Sequence, residues 1–361
     1  MIYVTKPFLP PKEEYDRYLQ GIWQRNWITN HGPLVNELEL QLKNYLGLPH
    51  LLFLSNGTIA LQIAIKALEL KGEIITTPFS YVATTSSIVW EGCQPVFADI
   101  DARSFNIDPA KIEAAITPAT SAILATHVFG NPCAIEAIQS IADKHQLKVI
   151  YDAAHCFGTL YKEQSVYRWG DISTASFHAT KLFHTGEGGA VMTEQPELLK
   201  KMAYLRNFGH ETPVDFAQVG INGKNSELHA AMGLSVLPHM PVLLKRRKEL
   251  SEYYDRVLKN LEIQKQLIPS DTVYNYSYYP VVFRSEALLL RSLEELHKYQ
   301  IFPRRYFYPS LDTLSYVSGS ECPVSRDIAS RILCLPLYHD LSFEEIDMIA
   351  RLLLRVQNNP S

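Results

Sequence analysis

Over the first two-thirds of the chain, short β-branched and aliphatic runs alternate with segments whose apolar positions recur every three to four residues. LVNELELQLKNYL (34–46) puts Leu34, Leu38, Leu42 and Tyr45 on one stripe with Gly47 after it, predicting a helix and its stop. HLLFL (50–54) predicts a strand, SNGT a turn, and TIALQIAIKALEL a helix buried on more than one side. EIITTP (73–78), PVFADI (95–100), SAILATHV (121–128) and LKVIYDA (147–153) predict further strands, with helices over 83–90, 109–116 and 134–146 between them. Their hydrophobicity is continuous rather than alternating, as parallel strands covered on both faces require. The expected fold class is therefore α/β, with a mostly parallel sheet between helices.

The pattern changes near Pro238 and Pro241. A charged helix over 242–260 leads into an alternating aromatic strand, YNYSYYPVVF (274–283), then a helix over 286–299. The last helix opens with Ser342 and Glu345, the spacing of a capping box. This predicts a large α/β domain over 1–240 and a smaller α+β domain over 241–361, with the first ~25 residues packing on the small one.

Composition narrows the class. In 361 residues, 47% hydrophobic and 20% charged positions bury a large core and argue against disorder. A net charge of −4 and the absence of a basic block give no general attraction for nucleic acid. Five widely spaced cysteines without a CxxC pair suggest neither a disulfide framework nor a metal site. With no apolar leader in MIYVTKPFLPPKEEYDRYL and no run of about 20 apolar residues, a soluble cytoplasmic protein is expected, with no membrane partner.

Ligands of open parallel sheets gather beyond the carboxyl ends of the strands, and four places there carry candidate chemistry. Gly57 and Thr58, in SNGT, offer free amides and a hydroxyl at a helix N-terminus, a small anion site or an ordinary capped turn. Asp152 ends an apolar strand, where it needs a partner or caps the next turn; His155 follows three residues later, on the same ligand or within the core. Lys181 lies in STASFHATKLFHTGEGGAV, after Ser176 and His178, either snorkelling to water or kept as a low-pKa nucleophilic amine. Tyr81 follows a strand and a proline and either stacks on a flat ligand or fills core space. Together these are an amine, a carboxylate, an anion pocket and an aromatic face, the parts that hold pyridoxal phosphate.

These segments resemble the DegT/StrS family of nucleotide-sugar aminotransferases, fold type I enzymes that use pyridoxal phosphate. The likeness covers WITNHGPLVNELE (27–39), SNGTIALQIAIKAL (55–68), TTPFSYVATTSSIVWEGCQPVFADID (76–101), YDAAHCFG (151–158), SFHATKLFHTGEGGAV (176–191) and INGKNSELHAAMG (221–233). It implies that Lys181 binds the cofactor aldehyde and shuttles protons, that Asp152 pairs with the ring nitrogen, and that His155 lies near the ring hydroxyl. It places Tyr81 on the ring face, Gly57, Thr58 and Ser176 around the phosphate, and Asn222 on the same phosphate from a second subunit, making a homodimer with shared sites. Lys224 stands where the family commonly has arginine, so a bidentate contact becomes a point charge. Arg304 and Arg305, in PRRYFYPSL, are candidates for the substrate diphosphate or are solvated surface residues.

The implied reaction moves nitrogen from glutamate, through the pyridoxamine form, to a nucleotide-linked keto-deoxysugar of polysaccharide biosynthesis. The overall pattern is most similar to members acting at C4 of dTDP-4-dehydro-6-deoxy-D-glucose, giving dTDP-4-amino-4,6-dideoxy-D-glucose; amination at C3 is the alternative. A sugar dehydratase of the same fold would carry histidine in place of Lys181, and a non-catalytic regulator would have lost Lys181 or Asp152. Both residues are present.

Overall fold

The computed structural model describes residues 1–317, 319 and 321–359. Seven strands form the central sheet: Leu51–Leu54, Glu73–Thr76, Gln94–Phe97, Thr120–Thr126, Lys148–Asp152, Ile172–Ser176 and Gly189–Met192. In space their order, by position along the chain, is first, seventh, sixth, fifth, fourth, second, third. Gly189–Met192 runs antiparallel to both neighbours, and the other pairs are parallel. Thr126, Asp152 and Thr174 share one row across adjacent strands, and Gly189 pairs with both Leu54 and Ser176. One edge of the sheet thus gathers hydroxyls, a carboxylate and close-packed backbone.

Helices cover both faces of the sheet. Pro33–Leu46 buries Leu34, Leu38 and Leu42 and ends at Gly47 in the left-handed conformation, as its periodicity predicts. Gly57–Ala67 is apolar nearly all round because it lies between the sheet and Val82–Trp90. Asp108 caps Pro109–Ala114 by accepting from the Ala110 amide at 2.9 Å.

A second core surrounds the antiparallel strands Ile263–Gln264, Tyr279–Phe283 and Ile332–Leu335. Glu286–Lys298 and Phe343–Asn358 pack together over it, the latter opened by the Ser342 and Glu345 capping box. Met240–Val257 serves both cores, giving Met240 and Leu243 to the large one and Leu250 and Tyr254 to the small one. The N-terminus also divides: Ile2–Tyr3 pairs with Ile301–Phe302, whereas Lys12–Arg25 lies on Glu227–Val236.

The expected strands are shorter than their patterns suggest, and for two the cause is a buried polar side chain bound elsewhere. Of 274–283 only Tyr279–Phe283 is a strand, because the inward positions before it are Asn275 and Ser277. These buried polar groups bind backbone carbonyls of the large unit instead of continuing a ladder. Of 95–100 only the part to Phe97 joins the central sheet, since Asp99 turns to accept the amides of Val324 and Ser325, both at 2.9 Å. No helix among the described residues is long and apolar enough to cross a membrane.

Candidate active site

A cavity of about 700 Å³ opens beyond the carboxyl edge of the central sheet and is closed on its far side by Tyr278, Arg304, Tyr306 and Phe307 of the smaller unit. Its phosphate-sized end is built by close backbone approach. Asn56 caps Gly57–Ala67 by accepting the Ile59 amide at 2.9 Å, which leaves the first amides of the helix directed at the cavity. An added Cβ on Gly57 would lie 2.9 Å from the Ser176 Cβ, so the missing side chain brings Ser176 against the helix start. Thr58 and Ser176 line the same end.

Asp152, 6% exposed, ends its strand in the cavity wall. Thr84 Oγ1 donates to Oδ2 at 2.7 Å and the Ala154 amide to Oδ1 at 3.2 Å. Burial pushes its pKa up, and the Thr84 hydrogen bond, the Ala154 amide and the charge of Lys181 oppose that rise. Lys181 sits half-buried in the loop joining Ile172–Ser176 to Gly189–Met192. Burial lowers its pKa below the ordinary lysine value, against the pull of Asp152, Tyr306 and Tyr81. The amine and the acid face one space.

Tyr81 is 59% exposed and forms part of the cavity wall, so its ring is not core filling. His155 is held from two sides: Asn275 Nδ2 and Ser277 Oγ donate to its carbonyl at 2.7 and 2.5 Å, and its ring lies nearly parallel to Phe307 with 5.7 Å between centroids. Its Nδ1 accepts the Phe129 amide at 3.3 Å, which leaves Nε2 to carry the proton of the neutral ring. Burial and nearby Lys181 push its pKa well below the usual histidine value.

The remaining candidates separate. Arg304 lines the cavity on the side of the smaller unit, with its guanidinium 5.4 Å from the Tyr306 ring centre. Arg305 does not line it; its guanidinium donates to Glu286 at 2.7 Å and to the Ser330 carbonyl at 2.8 Å, over the Tyr308 ring. Asn222 is exposed, bridged to Asn207, and lies outside the cavity of its own chain. The Lys224 amine donates to Asn207 Oδ1 at 2.9 Å and lies 4.5 Å from the Phe208 ring centre. Sequence reasoning missed Ser80, Thr84, Thr126, Tyr278, Tyr306 and Phe307. The first three resemble ordinary strand-end and helix-start residues, and the last three lie 97 to 126 positions after Lys181, with no motif to link them.

The donor set fits pyridoxal phosphate. An amine of lowered pKa suits an aldehyde, a buried carboxylate with unfilled acceptor positions suits a protonated ring nitrogen, helix amides with two hydroxyls suit a phosphate, and an exposed tyrosine ring suits a flat face. The volume lies within the range of small-molecule sites.

Comparisons with known proteins agree with this chemistry. The chain is 45% identical over 357 residues to the dTDP-4-amino-4,6-dideoxy-D-glucose transaminase of Shigella dysenteriae, covering 96% of this chain and 97% of that one. It is 40% identical to the Escherichia coli protein of the same name, over 97% of each. The crystal structure of DesI in the presence of its TDP-sugar product superposes with a TM-score of 0.93 at 32% identity, covering 98% of this chain and 93% of that one. The model of the DegT/DnrJ/EryC1/StrS aminotransferase family matches residues 11–354, and the chain belongs to that pyridoxal-phosphate-dependent family.

Proposed function

We propose that this aminotransferase moves an amino group from L-glutamate to C4 of dTDP-4-dehydro-6-deoxy-D-glucose, giving dTDP-4-amino-4,6-dideoxy-D-glucose. The observation that carries the reading is the pairing of the Lys181 amine and the Asp152 carboxylate on one cavity, in a chain whose two relatives of that activity match over nearly its whole length. Bound pyridoxal phosphate supplies an aldehyde to receive nitrogen and a ring to accept the electron pair left when a proton departs from carbon. Lys181, whose pKa burial lowers, would hold the aldehyde and serve at Nζ as the carrier of the proton, a role worth roughly 10²–10⁴-fold. Asp152 would pair with the ring nitrogen and keep it protonated.

In this reading the Gly57 and Thr58 amides, the Ser176 hydroxyl and the Asn222 amide of a second copy would hold the phosphate, Tyr81 would cover one ring face, and His155 would donate from Nε2 to the ring hydroxyl. Arg304, which lines the cavity and has no carboxylate partner among the described residues, would meet the nucleotide diphosphate; Arg305, engaged by Glu286, would not. Lys224 contributes charge near Asn222 rather than a bidentate clamp. A homodimer is supported by the exposure of Asn222 and by Phe208, Val214, Phe216, Val219 and Ile221 around it, an apolar group suited to cover by a second copy.

The test is incubation of purified protein with glutamate and a panel of 3-keto and 4-keto deoxysugar nucleotides, read by mass spectrometry and by NMR of the product. The 4-amino-4,6-dideoxyglucose nucleotide is expected; exclusive amination at C3 overturns the choice of carbon.

A further inference from the structure

Four buried oxygens follow one another and end at the Asp152 carboxylate. Thr126 Oγ1 donates to Ser80 Oγ at 3.0 Å, Ser80 Oγ lies 2.7 Å from Thr84 Oγ1, and Thr84 Oγ1 donates to Asp152 Oδ2 at 2.7 Å. The three hydroxyl residues are 3% exposed or less. Thr126 and Asp152 are register partners on adjacent strands, so the chain leaves the sheet at one of a pair and returns at the other through the start of Val82–Trp90. Ser80 and Thr126 touch the cavity, whereas Thr84 does not.

Proton counting fixes the direction. Each hydroxyl has one proton. A charged carboxylate has none, so Thr84 must spend its own on Asp152, and the short contact to Ser80 then requires Ser80 to donate to Thr84. Thr126 in turn donates to Ser80. All three O–H dipoles therefore point toward Oδ2, and each bond polarises the next, by roughly 10–30%. The arrangement favours the ionised acid, because a protonated Asp152 that kept its proton on Oδ2 would meet the Thr84 hydrogen head-on.

We propose that Thr84 is a positioning residue that holds Asp152 charged and oriented for the cofactor, as the last donor of a one-way hydroxyl chain from Thr126 through Ser80. The inference rests on the reading of Asp152 as the partner of the ring nitrogen. The Thr84 bond opposes the rise in pKa that burial imposes on the acid. The other ionisable groups that sense this carboxylate are Lys181, Cys156 and Tyr167.

Thr84→Val keeps the shape of the side chain and removes the proton. Hydrogen bonds to charged groups are worth roughly ten- to a hundredfold in an equilibrium. The dissociation constant for pyridoxal phosphate, measured by equilibrium dialysis, is expected to rise about tenfold or more, and the acid limb of kcat/KM for glutamate to move about one unit to higher pH. Thr84→Ser restores both, and Ser80→Ala shows a smaller shift of each. The thermal midpoint of the cofactor-free protein serves as control for a merely structural loss, and Asp152→Asn is measured alongside. Impaired Asp152→Asn beside a Thr84→Val variant with unchanged affinity and pH profile overturns the hydroxyl chain alone. Asp152→Asn equal to wild type overturns the reading of Asp152 and the chain with it.

Discussion

At the scale of single residues, one cause acts in opposite directions on two groups. Burial drives the Lys181 ammonium toward its neutral form and the Asp152 carboxylate toward its own, while each attracts the charged state of the other. A neutral amine is what attacks an aldehyde, and a charged acid is what retains a proton on a pyridine nitrogen, so the pair needs the donors behind Asp152 to separate the two outcomes. Lys181→Ala removes the amine without leaving an unpaired buried cation. The protein is expected to fold with a near wild-type thermal midpoint and to lose transamination to background; rapid glutamate-dependent conversion of its absorbance would contradict that role. Both residues were visible in the sequence because each is chemically out of place, a lysine in a mostly uncharged run and an acid directly after Val149, Ile150 and Tyr151. Thr84 was not, since threonine early in a helix is ordinary and its partner lies 68 positions away.

At the scale of elements, the anion end of the cavity depends on three backbones meeting without side chains between them. Gly189 begins the antiparallel strand between Leu54 and Ser176, and an added Cβ would lie 2.4 Å from the Asn56 carbonyl carbon and 2.7 Å from the Gly57 nitrogen. These are backbone atoms with little room to yield. Gly189→Ala is expected to cost about 1–3 kcal/mol of stability by overpacking and to weaken cofactor binding by displacing the helix start. Denaturant titration and equilibrium dialysis measure the two; a stable variant with unchanged cofactor affinity would show that the close approach is dispensable. The strands and helices themselves were legible from apolar periodicity. The stretch 274–278 was not, because alternating aromatics imitate a strand's period of two while the inward residues, Asn275 and Ser277, are occupied with His155 and Phe157 carbonyls. The side-chain period is local, but the partner that decides the structure is on another unit.

At the scale of the whole molecule, the site draws on both cores and, in the proposed dimer, on a second copy. Nothing in the sequence after residue 240 linked Tyr278, Tyr306 and Phe307 to Lys181; only the packing of the two cores brings them to one cavity. Asn222 poses the complementary problem, since it lies outside the cavity of its own chain. If it serves its neighbour, defects at positions 181 and 222 belong to different sites of one dimer. A mixed dimer of Lys181→Ala with Asn222→Ala then has one site lacking both groups and one site with both intact. Random pairing of equal amounts yields half mixed dimers, each with one working site of two, so activity is expected to recover to about a quarter of wild type from two poorly active parents. Purification through two different tags enriches the mixed species and raises the recovery to about half per dimer. If Asn222 instead acts on its own chain, every site in the mixture lacks one group and no recovery occurs, which makes the mixing experiment a direct measurement of whether the active site is shared.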